Sequence, residues 1–520
     1  MRLLTILAVA IIALEDEGWA STTFKIESRL LSRRSGGKAN IFISFYNGTN
    51  YILEHVGKSR FGTRSEKQNA VRSRLIAHAE QSQVKVRDYL HHRSRTQGTE
   101  FQSLWITNQV YIKDATFADI TALVDLPEVK SVTEEKIIQL DNSVGVLAKP
   151  TPGDEWNLQK IQAPEGISLW KASSPAVAVP LVGIIDSGCR QTHEALRDNW
   201  VGGETGWFDP YDNTQLPVDT DGHGTHVTGT ICGKGGIGVY PDARWMACRG
   251  CKGGDCGAAQ LLQCAQYMTC PRRPDGSCGT APKIVSNSWG DRVDQNDPWF
   301  DGAIATWHSV GIIPVFAIGN SGSACGSVRS PGDRNGVIGV GSTTEIDALS
   351  TFSSVGPTVD GRIKPEISAP GSNILSAYYE SDTDYFTDSG TSMACPHVSG
   401  LIAMLVAVKP TLTYDEAMRY LKDGADRNLV SSGGSCNNIP DTDFPNYQFG
   451  SGRVNALKSL RLLLNDNPFR CTVVGTFANA DCRKYYRCVQ IGGNLYTYVM
   501  TCPSGSYFNT GSKKCVLGAC

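Results

Sequence analysis

Asp186, His223 and Ser392 have the types and spacing to perform chemistry together. Asp186 closes the apolar run "LVGIID", His223 sits between glycines in "DGHGTH", and Ser392 lies in "GTSMACPH". A serine hydroxyl is a poor nucleophile until a base takes its proton. An imidazole suits that task near neutral pH, and a carboxylate fixes its tautomer and stabilises the imidazolium. The order Asp, His, Ser is one of those in which such a triad occurs. A fourth part, a donor for the developing oxyanion, is offered by Asn320 in "PVFAIGNSG". Each residue also has a plainer role: Ser392 as a helix cap, Asp186 as a capping carboxylate, His223 and Asn320 as turn residues. Four such residues in one chain favour the chemical reading.

These side chains need a frame that brings them together from 206 residues of sequence. From about 155 to 464 the chain alternates short apolar runs with helical stretches. "AVAVPLVGIID", "KIVSNSWG", "GIIPVFAIGN" and "NGVIGVGST" end in Gly, Asp or Asn, as strands buried on both faces of a parallel sheet do. "AAQLLQCAQYM", "AIATWHSV" and "SGLIAMLVAV" read as the intervening helices. The expected fold class is α/β, a mostly parallel sheet flanked by helices, with ligands bound beyond the carboxyl ends of the strands.

"GIIDSG", "DGHGTHVTGT", "FAIGNSG" and "GTSMACPHVSG", in that order over about 300 residues, closely resemble the subtilisin-like serine proteases. The flanks "DARWMACRGC", "SNSWG", "DPWF" and "SPGD" look most like the bacillopeptidase F-type branch. The resemblance implies Asp186, His223 and Ser392 as the triad and Asn320 as the oxyanion donor, with His226 and His397 structural. It also implies a substrate pocket edged by Ser288, Trp289, Gly290, Ala317, Ile318 and Gly319. Arg329 stands before "SPGD", at the pocket's floor, where subtilisins often have a small residue. It reads either as a surface arginine in a shifted loop or as a cation favouring Asp or Glu before the scissile bond. The loop "TICGKGGIGVYPDARW" is short and carries Lys234, so the family's calcium loop is not carried over. Structural calcium stays unassigned, and no organic cofactor or other metal is expected.

Residues 38–143 lack cysteine and read as strand, helix, strand, helix, strand, with Thr116 as a cap. This module resembles the inhibitory, ferredoxin-like propeptide of subtilisin-like zymogens, which implies that the chain's own propeptide inhibits it. "DNSVGVLAKPTPGDEW" reads as an exposed linker, 144–154 with a processing site, and the cut is expected between about 141 and 155. Asn47, in "NGT", is a glycosylation sequon. At the amino terminus, Arg2 and the apolar run Leu3–Leu14 suit a secretory signal over residues 1–20. No later segment reads as a membrane helix, so a soluble, secreted monomer is expected. The net charge of −2 gives no reason to invoke nucleic acid.

All 17 cysteines lie from Cys189 onward. In a secreted chain most belong in disulfides, including Cys248, Cys251 and Cys256 rather than a zinc site, with Cys395 a buried free thiol. Residues 471–520 hold six cysteines and little aliphatic sequence, and must rely on disulfides for a core. Their spacing, with "FANADCRKYYRC" and "CPSGSYFNTGSKKC", resembles the peritrophin-A type chitin-binding domain. Phe477 and Phe508 read as core, and Tyr496 and Tyr498 as sugar contacts. The expected function is a secreted serine endopeptidase, made as a zymogen and anchored to chitin. The alternative is a catalytically inactive, chitin-bound structural or lectin-like protein.

Overall fold

The computed structural model describes residues 25–31, 37–140, 146–148, 155–173, 178–291, 295–466, 473–479, 481–491 and 494–518. The signal read over 1–20 and nearly all of the linker 144–154 lie outside them.

Seven parallel strands form the central sheet, in the order Ile367–Pro370, Ile338–Thr343, Ile313–Ala317, Ile284–Asn287, Leu181–Asp186, Arg244–Arg249 and Trp207–Phe208. The inner strands are buried along nearly their whole length, which accounts for their almost unbroken apolar sequence. One core cluster packs His223–Cys232 and Thr391–Val408 on one face; a second packs Ala258–Thr269 and Asp301–Ser309 on the other. Chain order reverses direction between Leu181–Asp186 and Ile284–Asn287. The crevice at such a switch point is where open α/β sheets bind ligands.

Thr391–Val408 corrects one expectation. It has 18 residues and a mean hydropathy of 1.6, long and apolar enough to cross a membrane, yet 94% of it is buried inside the domain. Its apolarity on all sides is that of a core helix.

The amino-terminal module has four antiparallel strands in the order Phe101–Leu104, Gln109–Ala115, Ala39–Phe45 and Val129–Glu134. With its helices this makes the split βαββαβ arrangement of ferredoxin-like folds. Two elements read as continuous are divided. The long helix breaks into Arg64–Ser82 and Val84–Gln97 at Gln83, and the strand becomes a hairpin turning at Asn108, whose φ is +51°. The two breaks meet: Gln83 Nε2 donates to Asn108 Oδ1 at 2.9 Å, and Ser103 donates to Gln83 Oε1 at 2.6 Å. Thr116 caps Phe117–Val124 in a reciprocal box with Asp119.

The carboxyl-terminal segment holds a three-stranded antiparallel sheet and the hairpin Ser506–Asn509/Lys514–Leu517. Cys502 pairs with Cys515, and Cys482 and Cys488 are also disulfide-bonded. Phe477 and Phe508 are buried, Tyr485 stacks on Phe508, and Tyr498 is exposed. The side chain of Tyr496 lies outside the description. In the sheet domain the disulfides are Cys248–Cys264, Cys251–Cys256, Cys270–Cys278 and Cys325–Cys436. Among the described residues three cysteines are free and buried: Cys395, as expected, with Cys189 and Cys232.

Candidate active site

Asp186, buried at the carboxyl end of Leu181–Asp186, accepts through Oδ1 from His223 Nδ1 at 2.7 Å and from the Ser187 N–H at 2.8 Å. His223 opens the helix His223–Cys232. Asp219 holds the entry turn by accepting from the Gly222 and Thr225 N–H groups and from the Ser187 hydroxyl. Ser187 in turn accepts from the Gly224 N–H at 2.8 Å, so one network fixes both members of the Asp186–His223 pair. A Cβ on Gly224 would lie 2.1 Å from Gly188 O and 3.1 Å from Asp186 Cβ; only glycine lets the helix reach the strand end.

Burial lowers the affinity of the His223 imidazole for its second proton. The charge and hydrogen bond of Asp186, with Asp388 and Asp221 beyond, outweigh it and leave the pKa raised to about 9. By contrast, burial pulls His397 down to about 4; its Nδ1 pairs with Met393 O at 2.7 Å. His226 pairs with the carbonyls of Ile374 and Phe386.

Ser392 is the second residue of Thr391–Val408, where the helix dipole favours negative charge; the Met393 and Ala394 N–H groups there already donate to Gly390 O. Its hydroxyl donates to Ser288 O at 3.0 Å rather than to His223. Asn320 follows the strand end at Ala317. Its Oδ1 accepts from both Thr391 N and Thr391 Oγ1 at 2.9 Å, and its Nδ2 lies 3.5 Å from the place a Cβ on Gly390 would take.

Ser392 and Asn320 share a cavity of about 280 Å³ with Ser288, Trp289, Gly290, Ala317 and Gly319. Ile318 is fully buried and, like Arg329, is not among the lining residues. Arg329 lies directly behind Gly319, its Cγ 3.0 Å from where a Gly319 Cβ would stand. The Trp289 indole is anchored in the core, donating to Ile185 O at 3.0 Å and packing edge-on to Phe300 and Phe316. A larger cavity of about 390 Å³ lies between the amino-terminal module and the sheet domain, at Arg72, Trp105, Trp207 and Tyr267, and touches none of Asp186, His223 and Ser392.

The module docks through residues the sequence did not single out. The Arg64 guanidinium donates to the carbonyls of Ala281, Pro282 and Val310, and burial lowers its pKa to about 10. Glu135 Oε1 accepts from the Ala259 N–H at the start of Ala258–Thr269. Ile137–Gln139 then pairs antiparallel with Asp255–Gly257, and Leu140 reaches the cavity. Acidic residues just before an apolar tail, "TEEKIIQL", were the available signal for this docking edge.

Among the described residues no group of three or more His, Cys, Asp or Glu side chains is placed to hold a metal ion. Asp219, the acid nearest the pair's entry turn, spends its oxygens on Ser187, Asp221, Gly222 and Thr225. Lys234, in the shortened loop, pairs with Asp198.

A parallel α/β domain that carries a hydrogen-bonded Asp–His pair at a strand end, and a serine at a helix start sharing a cavity with an asparagine amide, is organised as a serine hydrolase is. Residues 179–452 match the model of the subtilase family, and residues 471–519 match that of the chitin binding Peritrophin-A domain. The chain belongs to the subtilase family. It is 31% identical to bacillopeptidase F of Bacillus subtilis over 76% of this chain and 29% of that protein. It is 31% identical to the serine protease AprX of the same organism over 54% of this chain and 65% of that one. Thermitase of Thermoactinomyces vulgaris is 31% identical over 49% of this chain and 86% of its own length. The chain thus spans less than a third of bacillopeptidase F and about two thirds of AprX.

Proposed function

We propose that the chain is a serine endopeptidase in which Ser392 is the nucleophile, His223 the general base and acid, Asp186 its orienting carboxylate and Asn320 an oxyanion donor. The observations that carry this reading are the 2.7 Å bond from His223 Nδ1 to Asp186 and the cavity that Ser392 and Asn320 share. With Nδ1–H fixed on Asp186, Nε2 is left to accept a proton. The Ser392 hydroxyl turns from Ser288 O toward Nε2 and attacks the substrate carbonyl carbon. Asn320 Nδ2 and the Ser392 N–H stabilise the oxyanion. His223 passes the proton to the leaving amine as the C–N bond breaks. Water then hydrolyses the acyl-enzyme, leaving a carboxylate and a free serine.

The module at 38–143 is the chain's own inhibitor: its tail occupies the strand edge at Asp255–Gly257 that an extended substrate would use. Secretion is supported by the apolar leader and the disulfides, and chitin anchoring by the carboxyl-terminal domain. Chitin beads should retain the full chain and release a form ending before residue 471. Ser392→Ala should abolish both propeptide removal and peptide hydrolysis. Folded Ser392→Ala protein that still processes itself would remove the reading.

A further inference from the structure

The segment approaching Ser392 leaves the cavity open. Ile138 lies opposite Cys256 and Gln139 opposite Asp255, and the Leu140 N–H donates to Gly254 O at 2.8 Å. Strand alternation puts Ile138 and Leu140, 2% and 5% exposed, on one side and Ile137, 52% exposed, on the other. Gln139 and Leu140 both line the cavity of about 280 Å³. A chain extended along this edge offers the open space its next side chain. In the sequence that residue is Asp141, followed by Asn142.

The opposite wall is built around Gly319. Its φ of +112° disfavours a side chain, and a Cβ there would lie 3.0 Å from Arg329 Cγ and 3.2 Å from Arg329 Cβ. The Arg329 N–H donates to Ile318 O at 3.1 Å, tying the arginine to the loop that carries Asn320. Gly319 lines the cavity, and the arginine stem packs against it beside Ser354 Oγ, which lies 3.0 Å from the same Cβ position; the guanidinium donates through Nη1 to Val328 O at 3.0 Å. A guanidinium presents a planar fork of donors that matches a carboxylate. The acid on the cavity wall, Asp291, lies 4.0 Å from Lys136 Nζ.

Resting on Ser392 as the nucleophile, we infer that this cavity receives an acidic side chain, with Arg329 as its cation. The preferred substrate carries Asp or Glu before the scissile bond and aliphatic residues at the second and fourth positions, as Leu140 and Ile138 are placed. The first bond cut is the chain's own Asp141–Asn142. In that step Ser392 Oγ bonds to the Asp141 carbonyl carbon, the bond to Asn142 N breaks, and the proton goes to the new amine. Water then releases Asp141 as a carboxylate. Asp141 and Asn142 lie outside the described residues; the cavity, Leu140 and Arg329 carry the inference.

The test uses the secreted full chain. Amino-terminal sequencing of the processed form should read from Asn142. A form beginning at Asp141, cut after Leu140, or at Ser143 or beyond overturns the assignment. Coumarin amides of Ile-Gln-Leu-Asp, -Glu, -Leu and -Lys should show kcat/KM at least about tenfold higher for the acids. Arg329→Gln should abolish that preference, Arg329→Lys should keep part of it, and Arg329→Glu should favour Lys. Fluorophosphonate labelling of each preparation reports whether its site is intact. Labelled enzyme without an acid preference overturns this inference alone, whereas a folded, processed chain that stays unlabelled removes the protease reading and this inference with it.

Discussion

Ser288 and Ser392 are bonded to each other twice. The Ser288 hydroxyl donates to the Ser392 carbonyl at 2.8 Å, and the Ser392 hydroxyl donates to the Ser288 carbonyl at 3.0 Å. The first bond has a cause in the sequence. In a helix the Ser392 carbonyl would accept from the N–H of residue 396, and residue 396 is a proline. Ser288 supplies the missing donor, and so locks the strand end that edges the pocket to the turn that holds the nucleophile.

Ser288→Ala should therefore leave a buried carbonyl without a partner and cost about 1–3 kcal/mol of stability. Denaturant unfolding of the Ser392→Ala background measures this without self-digestion. Adding Pro396→Ala restores an N–H at position 396 and should recover part of the loss. Equal destabilisation by Ser288→Ala with and without Pro396→Ala would show the bond to be incidental.

His223 must be neutral to accept the serine proton, and its pKa is raised to about 9. Peptide hydrolysis should rise with pH and level off above pH 9, about tenfold per unit on the rising limb. Asp388→Asn removes one of the charges holding the proton and should move the limb to lower pH. For stability the sign is opposite. A proton held more tightly in the folded chain stabilises it fully below the usual histidine range, and that contribution is lost as pH climbs through about 9. Unfolding of Ser392→Ala followed from pH 6 to 10 checks it.

Asn320→Ala should lower kcat by about a hundred- to thousandfold with little change in KM, since the amide acts on charge that develops during the reaction. Asn320→Asp keeps the acceptor for Thr391 N and Oγ1 while removing the donor. It should be at least as inactive as Asn320→Ala while holding the helix start more firmly. An active Asn320→Asp enzyme would assign the side chain to Thr391 alone.

The α/β frame was legible because buried parallel strands carry local signals: apolar runs such as "LVGIID" that stop at Asp, Asn or Gly. The candidate site residues stand out in the sequence because they lie at such stops or near glycines that the packing requires, as Gly224 is by Gly188. What depends on distant partners was not. The breaks at Gln83 and Asn108 belong to one hydrogen-bonded pair formed across the module, and the periodicity of neither segment contains the other. Arg64 and Glu135 look like ordinary surface charges until backbone carbonyls and a helix start are brought to them. Thr391–Val408 passes for a membrane span by composition and is distinguished only by what surrounds it. Cys189 and Cys232 stay unpaired in a domain that holds four disulfides, and cysteine counting alone could not assign them.

The central claim is that Ser392 is activated by the His223–Asp186 pair. Its most direct test is peptide mass mapping of the secreted, processed chain after treatment with a fluorophosphonate. The account predicts a single adduct on Ser392, absent from Ser392→Ala and strongly slowed in His223→Ala prepared by adding the propeptide separately. A folded, propeptide-free chain that takes up no label, or carries it on another serine, would contradict it.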